Sequence, residues 1–433
     1  MNLADTLNLG CLCRTLNTGR LREQLETDPS LKGLASELAQ THPHLFSQTA
    51  VFLDPATRNA VTRAVAALDR VMALPAWQSH ALAHAAPIAR HAFGPAGVFM
   101  GYDFHLGPDG PRLIEINTNA GGAFLNAALA RAHRACCESM GALMDATAPG
   151  LPSLDDTFMA MFRCEWQAQR GDAPWRTVLV VDDAPQAQYL APEFALARHF
   201  FESHGLVAAV GDARTLQWRD GRLWHPALSG TSGESLAVDL VYNRLTDFDL
   251  SDPAHAALRA AYEAGATVVT PHPRVHALQA DKRNLITLGN DALLGSWGVS
   301  EDDRAVLRAV VPATQEVTAA NADALWARRR QLFFKPVAGY GAKAAYRGDK
   351  ITHKVWADVT AGGFVAQELV PPSERLVDVD GTATRLKLDL RAYAWRGQVQ
   401  LLAARTWAGQ TTNFRTAGGG FSPVVVLPQL VLE

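Results

Sequence analysis

The chain is poor in lysine, cysteine and long apolar runs, and each shortage excludes something. Of its 40 basic residues only seven are lysines: Lys32, Lys282, Lys335, Lys343, Lys350, Lys354 and Lys387. The other 33 are arginines, so a lysine inside a motif carries more information than an arginine does. The five cysteines, Cys11, Cys13, Cys136, Cys137 and Cys164, are too few and too scattered for a disulfide framework. None of them makes the paired spacing of a zinc site. No apolar stretch approaches the ~18 residues that a membrane helix needs. Residues Met1 to Arg14 also lack the basic-then-apolar pattern of a secretory signal. These absences lead us to expect a cytoplasmic protein with no membrane partner. A net charge of −3 argues against a nucleic-acid binder driven by phosphate neutralisation.

What is present is ample apolar material: 48% hydrophobic against 19% charged residues, enough for packed cores. At roughly 100–200 residues per domain, the length allows two to four domains. Residues 1–95 read as mainly helical, with apolar residues at helical spacing over 56–74. His80 and His84 lie four apart, but Pro87 interrupts the pattern and no carboxylate is interleaved. Residues 96–150 open with two strand-like runs, GVFMGYDFHL and PRLIEINTN, joined by a Gly/Pro/Asp turn. Past Gly121-Gly122 an Ala-rich helix is expected to about Met140. Over 170–280, short apolar strands alternate with helices, which predicts a small Rossmann-like unit. Its first strand lacks the G-x-G-x-x-G that a dinucleotide site needs. Residues 281–433 read as strands and hairpins ending in a glycine-rich loop.

Three constellations carry chemistry. In FFKPVAGYGAKAAY, Lys335 and Lys343 flank a loop containing Gly339 and Gly341. Glycines let backbone N–H groups approach an anion, and lysines supply point charges for phosphate oxygens. No G-K-[ST] follows, so this is not a Walker loop. In GYDFHLGPDGPRLIEINTN, Glu115 and Asn117 alternate onto one face of a strand, and Asp103 can stand opposite on the paired strand. Two carboxylates and an amide oxygen suit Mg²⁺ completed by substrate phosphates. In DLRAY and LAART, Arg391 and Arg405 occupy strands, followed by Asn413, Arg415 and three glycines. Tyr242, Asn243 and Arg244 end a strand of the α/β unit, where open sheets bind substrates, so Arg244 is a candidate carboxylate contact.

Together these motifs resemble the ATP-grasp superfamily, and within it the carboxylate–amine ligases such as glutathione synthetase. The resemblance implies an α/β (α+β) ATP-grasp fold with a Rossmann-like pre-ATP-grasp domain and a helical N-terminal region. ADKRN is similar to the segment whose lysine contacts nucleotide phosphates, which implicates Lys282; FFKP implicates Lys335. GYGAKA is similar to the glycine lid, with Gly339, Gly341 and Lys343. QELV is similar to the linker that holds adenine, implicating Glu368, Leu369 and Val370, with Glu374 a ribose candidate. Arg391, Arg405, Asn413 and Arg415 are implicated on the phosphate and acyl side, and Asp103, Glu115 and Asn117 in metal binding. The metal motif precedes the lysines here by over 160 residues, an order that resembles the circularly permuted members, including glutathionylspermidine synthetase. That synthetase has an arginine two residues before the metal-binding aspartate, where this chain has Gly101. The implied reaction joins a small-molecule carboxylate to an amine with ATP and Mg²⁺, Mn²⁺ being the natural substitute. A kinase on the same scaffold and a regulatory ATP binder remain open, as does a homodimer.

Overall fold

A computed structural model describes residues 2–26, 28–133, 153–230, 232–337 and 344–428. The first helices are short and capped by side chains. Asn2 and Asp5 form a reciprocal capping box on Leu3–Gly10. Asp54 accepts from the Thr57 N–H at the start of Pro55–Met72, where Pro55 occupies a position with no hydrogen bond to lose. Between them lies the three-residue strand β1 (Val51–Leu53). The N-terminal segment is therefore not helical throughout: β1 pairs in parallel with the last strand of the chain.

β2 (Met100–Gly107) and β3 (Gly110–Asn117) make an antiparallel hairpin turned at Gly110, which has φ +108°. The helix Ala123–Ala132 follows; the remainder of the expected helix, and Cys136 and Cys137, lie outside the described residues. The Rossmann-like unit comprises β4 (Thr177–Asp182), β5 (Val207–Asp212), an inserted antiparallel meander of β6 (Gln217–Arg219), β7 (Arg222–Ser229) and β8 (Ser235–Ala237), then β9 (Leu240–Asn243) and β10 (Val268–Thr270). Four of these form a fully parallel sheet in the order β10-β9-β4-β5, and every residue of β4 is buried. Buried strands of this kind read as continuous apolar runs.

The chain beyond 281 is not only strands. The helices Asn284–Leu288, Asp291–Ser296 and Glu301–Val310 come first. Then β11 (Thr314–Glu316), β12 (Leu332–Pro336), β13 (Tyr346–Arg347) and β14 (Phe364–Glu368) build a second four-stranded sheet, antiparallel, in the order β11-β14-β12-β13. Finally β15 (Ser373–Val379), β16 (Thr382–Trp395), β17 (Gln398–Trp407) and β18 (Gly420–Val426) join the early strands in a seven-stranded sheet. Its order is β1-β18-β17-β16-β2-β3, with β15 on the first half of β16. The hairpin β2–β3 thus lies beside β16, nearly 300 residues away in sequence, with Asp103 opposite Arg391.

A core of Phe99, Phe124, Phe158, Phe162, Phe200 and Tyr242 joins the helices to the parallel sheet, with rings meeting mostly edge to face. Buried charges staple the units. Glu165 accepts from the Ala96 and Gly97 N–H groups, the Thr270 hydroxyl and the Trp395 indole. Arg375, fully buried on β15, donates to the carbonyls of Ala50, Asn8 and Cys11, which fixes the N-terminal helix to the large sheet.

One buried group makes stability depend on pH. The His255 ring lies 2.7 Å from Asp247 Oδ2 through Nδ1 and 3.0 Å from Asp183 Oδ1 through Nε2, so both nitrogens must donate and the ring is an imidazolium. Burial alone would lower its pKa, but the two carboxylates hold it above the ordinary histidine value. Asp183 follows β4 and Asp247 lies just past β9, so the ring ties two loops at one end of the parallel sheet. A raised folded-state pKa means the contribution is complete below about pH 6.5 and fades as pH rises through the raised value. His255→Gln should therefore cost about 1–2 kcal/mol near pH 6, the range for hydrogen bonds to charged groups discounted for the half-exposed Asp183. The gap in denaturant midpoints between wild type and variant should close as pH rises; a constant gap would refute the charged clamp.

Candidate active site

A cavity of about 600 Å³ opens where the large sheet, the parallel sheet and the β11–β14 sheet meet. Eleven of the residues proposed from sequence line it: Asp103, Glu115, Asn117, Arg244, Lys282, Lys335, Glu368, Leu369, Val370, Arg391 and Arg405. Strand register explains the convergence on the large sheet. Asp389 and Arg391 are two apart on β16 and so share a face. β2 sets Asp103 opposite Arg391, and β17 sets Arg405 opposite Asp389. Gly101 makes room for this arrangement: a Cβ there would stand 2.5 Å from Ala120 Cβ and 3.5 Å from Arg391 Nε. An arginine at that position would displace its neighbours.

The four charges form a chain of alternating sign. Arg391 donates from Nε to Asp103 Oδ1 and from Nη2 to Oδ2, both at 2.6 Å. Arg405 donates from Nη2 to Asp103 Oδ2 and to Asp389 Oδ2, each at 2.9 Å, and from Nε to Asp389 Oδ1 at 2.8 Å. Asp389 also accepts from the Thr412 hydroxyl at 2.9 Å. Burial by itself would raise the Asp103 pKa, but the two guanidiniums hold the carboxyl well below the usual range. Burial likewise disfavours the charge on Arg391, and Asp103 more than offsets it.

Lys335 is the second anchor. Its ammonium donates to the Ile114 carbonyl at 2.8 Å and to Gln367 Oε1 at 2.9 Å, joining β12 and β14 to β3. Burial pulls its pKa down to about 8, against the attraction of Glu115 and Asp103. Arg112 reaches Glu368 across the same junction at 3.3 Å. At the other end of the cavity Arg244 is only 6% exposed. Its Nε is buried without a hydrogen-bond partner among the described residues, and Nη1 meets only the Tyr242 hydroxyl, at 3.4 Å. Nearby, burial pushes the Asp182 carboxyl up to about 6.

Asn117 decides whether a divalent cation fits. Its Nδ2 lies 3.1 Å from Asp103 Oδ2 and 3.2 Å from Glu115 Oε1, so the two carboxylates converge on one atom. Half a turn of the amide would present its oxygen there instead. Glu115 Oε2 has no protein hydrogen bond among the described residues. The donors therefore suit a hard cation, with Glu115 the least committed. Among the described residues no group of three or more His, Cys, Asp or Glu is placed to hold a metal, so a cation here would draw on the amide and on substrate oxygens.

Three expected residues stand apart from the cavity. Glu374 is exposed on β15 and pairs with Arg385 at 3.0 Å. Asn413 spends its side chain within its own loop, donating to the Ala408 and Thr411 carbonyls and accepting from the Arg415 N–H and the Thr416 hydroxyl. The Arg415 side chain points to solvent. The loop contributes Thr411, Thr412 and Phe414 to the cavity instead. Gly339, Gly341 and Lys343 lie outside the described residues. Sequence reasoning missed Asp389, Gln367 and His105. For Asp389 the signal was available in its spacing from Arg391.

No protein-family model matches the chain. No curated protein matches it either. Among solved structures, the glutathione synthetase-like effector GSS30 from Globodera pallida, in its apo form, matches over 95% of this chain and 98% of its own, with 12% identity and a TM-score of 0.57. The fold is glutathione synthetase-like. This is a mixed α/β architecture, as the motifs led us to expect. A putative gamma-glutamylcysteine synthetase from Methylobacillus flagellatus KT matches over 84% of each chain at 11% identity and a TM-score of 0.44. The D-cycloserine synthetase DcsG matches over 59% of this chain and 93% of its own, at 17% identity and a TM-score of 0.29. Within the glutathione synthetase-like fold, no helix among the described residues is long and apolar enough to cross a membrane.

The ion chain separates two kinds of acidic residue. Asp103→Ala would leave two guanidiniums buried beside Asp389 alone and should cost roughly 3–5 kcal/mol in urea unfolding. Glu115, whose one hydrogen bond among the described residues is with Asn117, should cost less than about 1 kcal/mol when replaced by alanine. Equal losses would show that Asp103 is not the electrostatic centre.

Proposed function

We propose that the chain is an ATP-dependent carboxylate–amine ligase that works through an acyl phosphate. The observation that carries this reading is the single cavity in which Lys282, Lys335, Arg391 and Arg405 meet Glu115, Asn117 and the Glu368–Val370 segment. Cations from two sheets and from the turn before the helix Asn284–Leu288, gathered around one partly committed carboxylate, suit a triphosphate better than a neutral ligand. The position of β2–β3 beside β16 supports a permuted chain order, because the metal motif can keep its place in the sheet while the termini move.

A substrate carboxylate would attack the γ-phosphate of ATP and release ADP; an amine would then attack the acyl carbon and release phosphate. Glu115, Asn117 and Asp103 would hold Mg²⁺, which supplies charge neutralisation between phosphate oxygens. Lys282, Lys335 and Arg391 would stabilise the transferring phosphoryl group. Arg405, held by Asp103 and Asp389, would face the oxyanion formed when the amine adds. Thr412 takes the supporting place first given to Asn413, since it reaches Asp389 directly. Arg244, with its poorly satisfied guanidinium, would bind a carboxylate of the substrate that is not activated. No protein nucleophile is needed.

The test is release of ADP and phosphate from Mg-ATP against pools of amino acids, peptides and polyamines. Turnover should require a carboxylate and an amine together; a phosphorylated product without amine would instead indicate a kinase. Glu115→Ala should lower kcat by at least about 100-fold while leaving the fold intact. Arg244→Leu should raise KM for the carboxylate substrate about tenfold or more, with KM for ATP unchanged.

A further inference from the structure

His105 lies on β2, two residues beyond Asp103, and lines the cavity beside the Glu368–Val370 segment. Its Nδ1 is 2.7 Å from the Val370 carbonyl oxygen. A carbonyl only accepts, so Nδ1 carries the proton, and in the neutral ring Nε2 is left with a lone pair. Among the described residues no hydrogen bond uses Nε2, and it is not one of the side-chain atoms sealed away without a partner. It therefore presents an acceptor to the cavity. Apolar side chains suited to a flat ligand line the same cavity, Ile114, Phe333, Leu369, Val370, Pro372 and Trp407, with the His105 and Trp407 ring centroids 6.4 Å apart, and Asp389, Lys335 and Asp103 are the charges that act on the ring.

Adenine and guanine differ at position 6 of the purine. Adenine carries an amino donor there, and guanine a carbonyl acceptor. A fixed acceptor in an apolar pocket bonds the first and sets lone pair against lone pair with the second, where water cannot repair the mismatch. The tautomer is locked by the bond to Val370, so the neutral ring cannot switch to a donor at Nε2 while that bond holds. We propose that His105 Nε2 reads the 6-amino group of the nucleotide and makes the site selective for adenine. This rests on the nucleotide reading above and names the residue that sets its base choice.

The probes are ATP, GTP and purine riboside triphosphate, which lacks only the 6-amino group of ATP, titrated calorimetrically into the full chain with Mg²⁺. Wild type should bind ATP about tenfold more tightly than the deleted analogue, the value of one well-made hydrogen bond, and GTP more weakly still. In His105→Ala the preference for ATP over the analogue should fall to about one- to threefold. An unchanged preference in the variant would overturn the proposal. So would equal binding of ATP and the analogue by wild type, which would follow if Nε2 accepted from a ribose hydroxyl. That wild-type comparison decides even if His105→Ala fails to fold. Wild type that binds none of the three overturns the nucleotide reading itself, an outcome distinct from binding without base choice.

Discussion

Everything around the cavity depends on one buried carboxylate shared by two arginines. Asp103, only 2% exposed, could not remain ionised in that position without Arg391 and Arg405, and neither guanidinium could be buried without it. The arrangement needs three strands in fixed register, because a slip of one residue would turn each charge to the opposite face of the sheet. Asp389 closes the chain by balancing the second arginine. Two positive and two negative groups then leave almost no net charge, so the field in the cavity is left to the other charged groups that line it, Lys282, Lys335, Lys387, Arg244 and Arg347 against Glu115, Glu368 and Asp182. A lysine-poor chain thus has three of its seven lysines, Lys282, Lys335 and Lys387, lining this cavity.

The same economy recurs wherever units meet. Glu165 and Glu193 are fully buried, and both take backbone N–H groups from a segment entering the site: Ala96 and Gly97 in one case, Gly122 and Phe124 in the other. Arg375 does the converse, collecting carbonyls from the N-terminal helix and the strand after it. Polar backbone that would otherwise be orphaned in a loop is satisfied by a charge from another layer. These Glu165 and Glu193 contacts join segments about 70 residues apart, and those of Arg375 join segments more than 300 apart.

Much of this was legible beforehand. Apolar runs gave the parallel sheet, because strands buried on both faces have no polar positions to spare. Period-two spacing placed Glu115 and Asn117 on one face, and the lysine shortage marked Lys335. The inserted meander was missed, although Asp220-Gly221, both at positive φ, is a standard two-residue hairpin signal. The helices between 284 and 310 were missed because they are short and their stability comes from packing rather than propensity. That Asn413 bonds within its own loop and Arg415 is exposed could not be read beforehand, because a loop motif names residue types without saying which way they face.

The sequence by itself determined the element types and the chemical alphabet of the site: which lysines, carboxylates and arginines were worth following. Periodicity and turn chemistry are local, and local rules suffice for that. Only the tertiary structure decided the partners. It made Asp103 the counter-ion of two arginines before any metal role, brought Asp389 and His105 into the cavity, and sent Glu374 and Arg415 to the surface. Those outcomes turn on strand order and register between residues up to about 300 positions apart, and no local pattern encodes which distant strand will lie alongside.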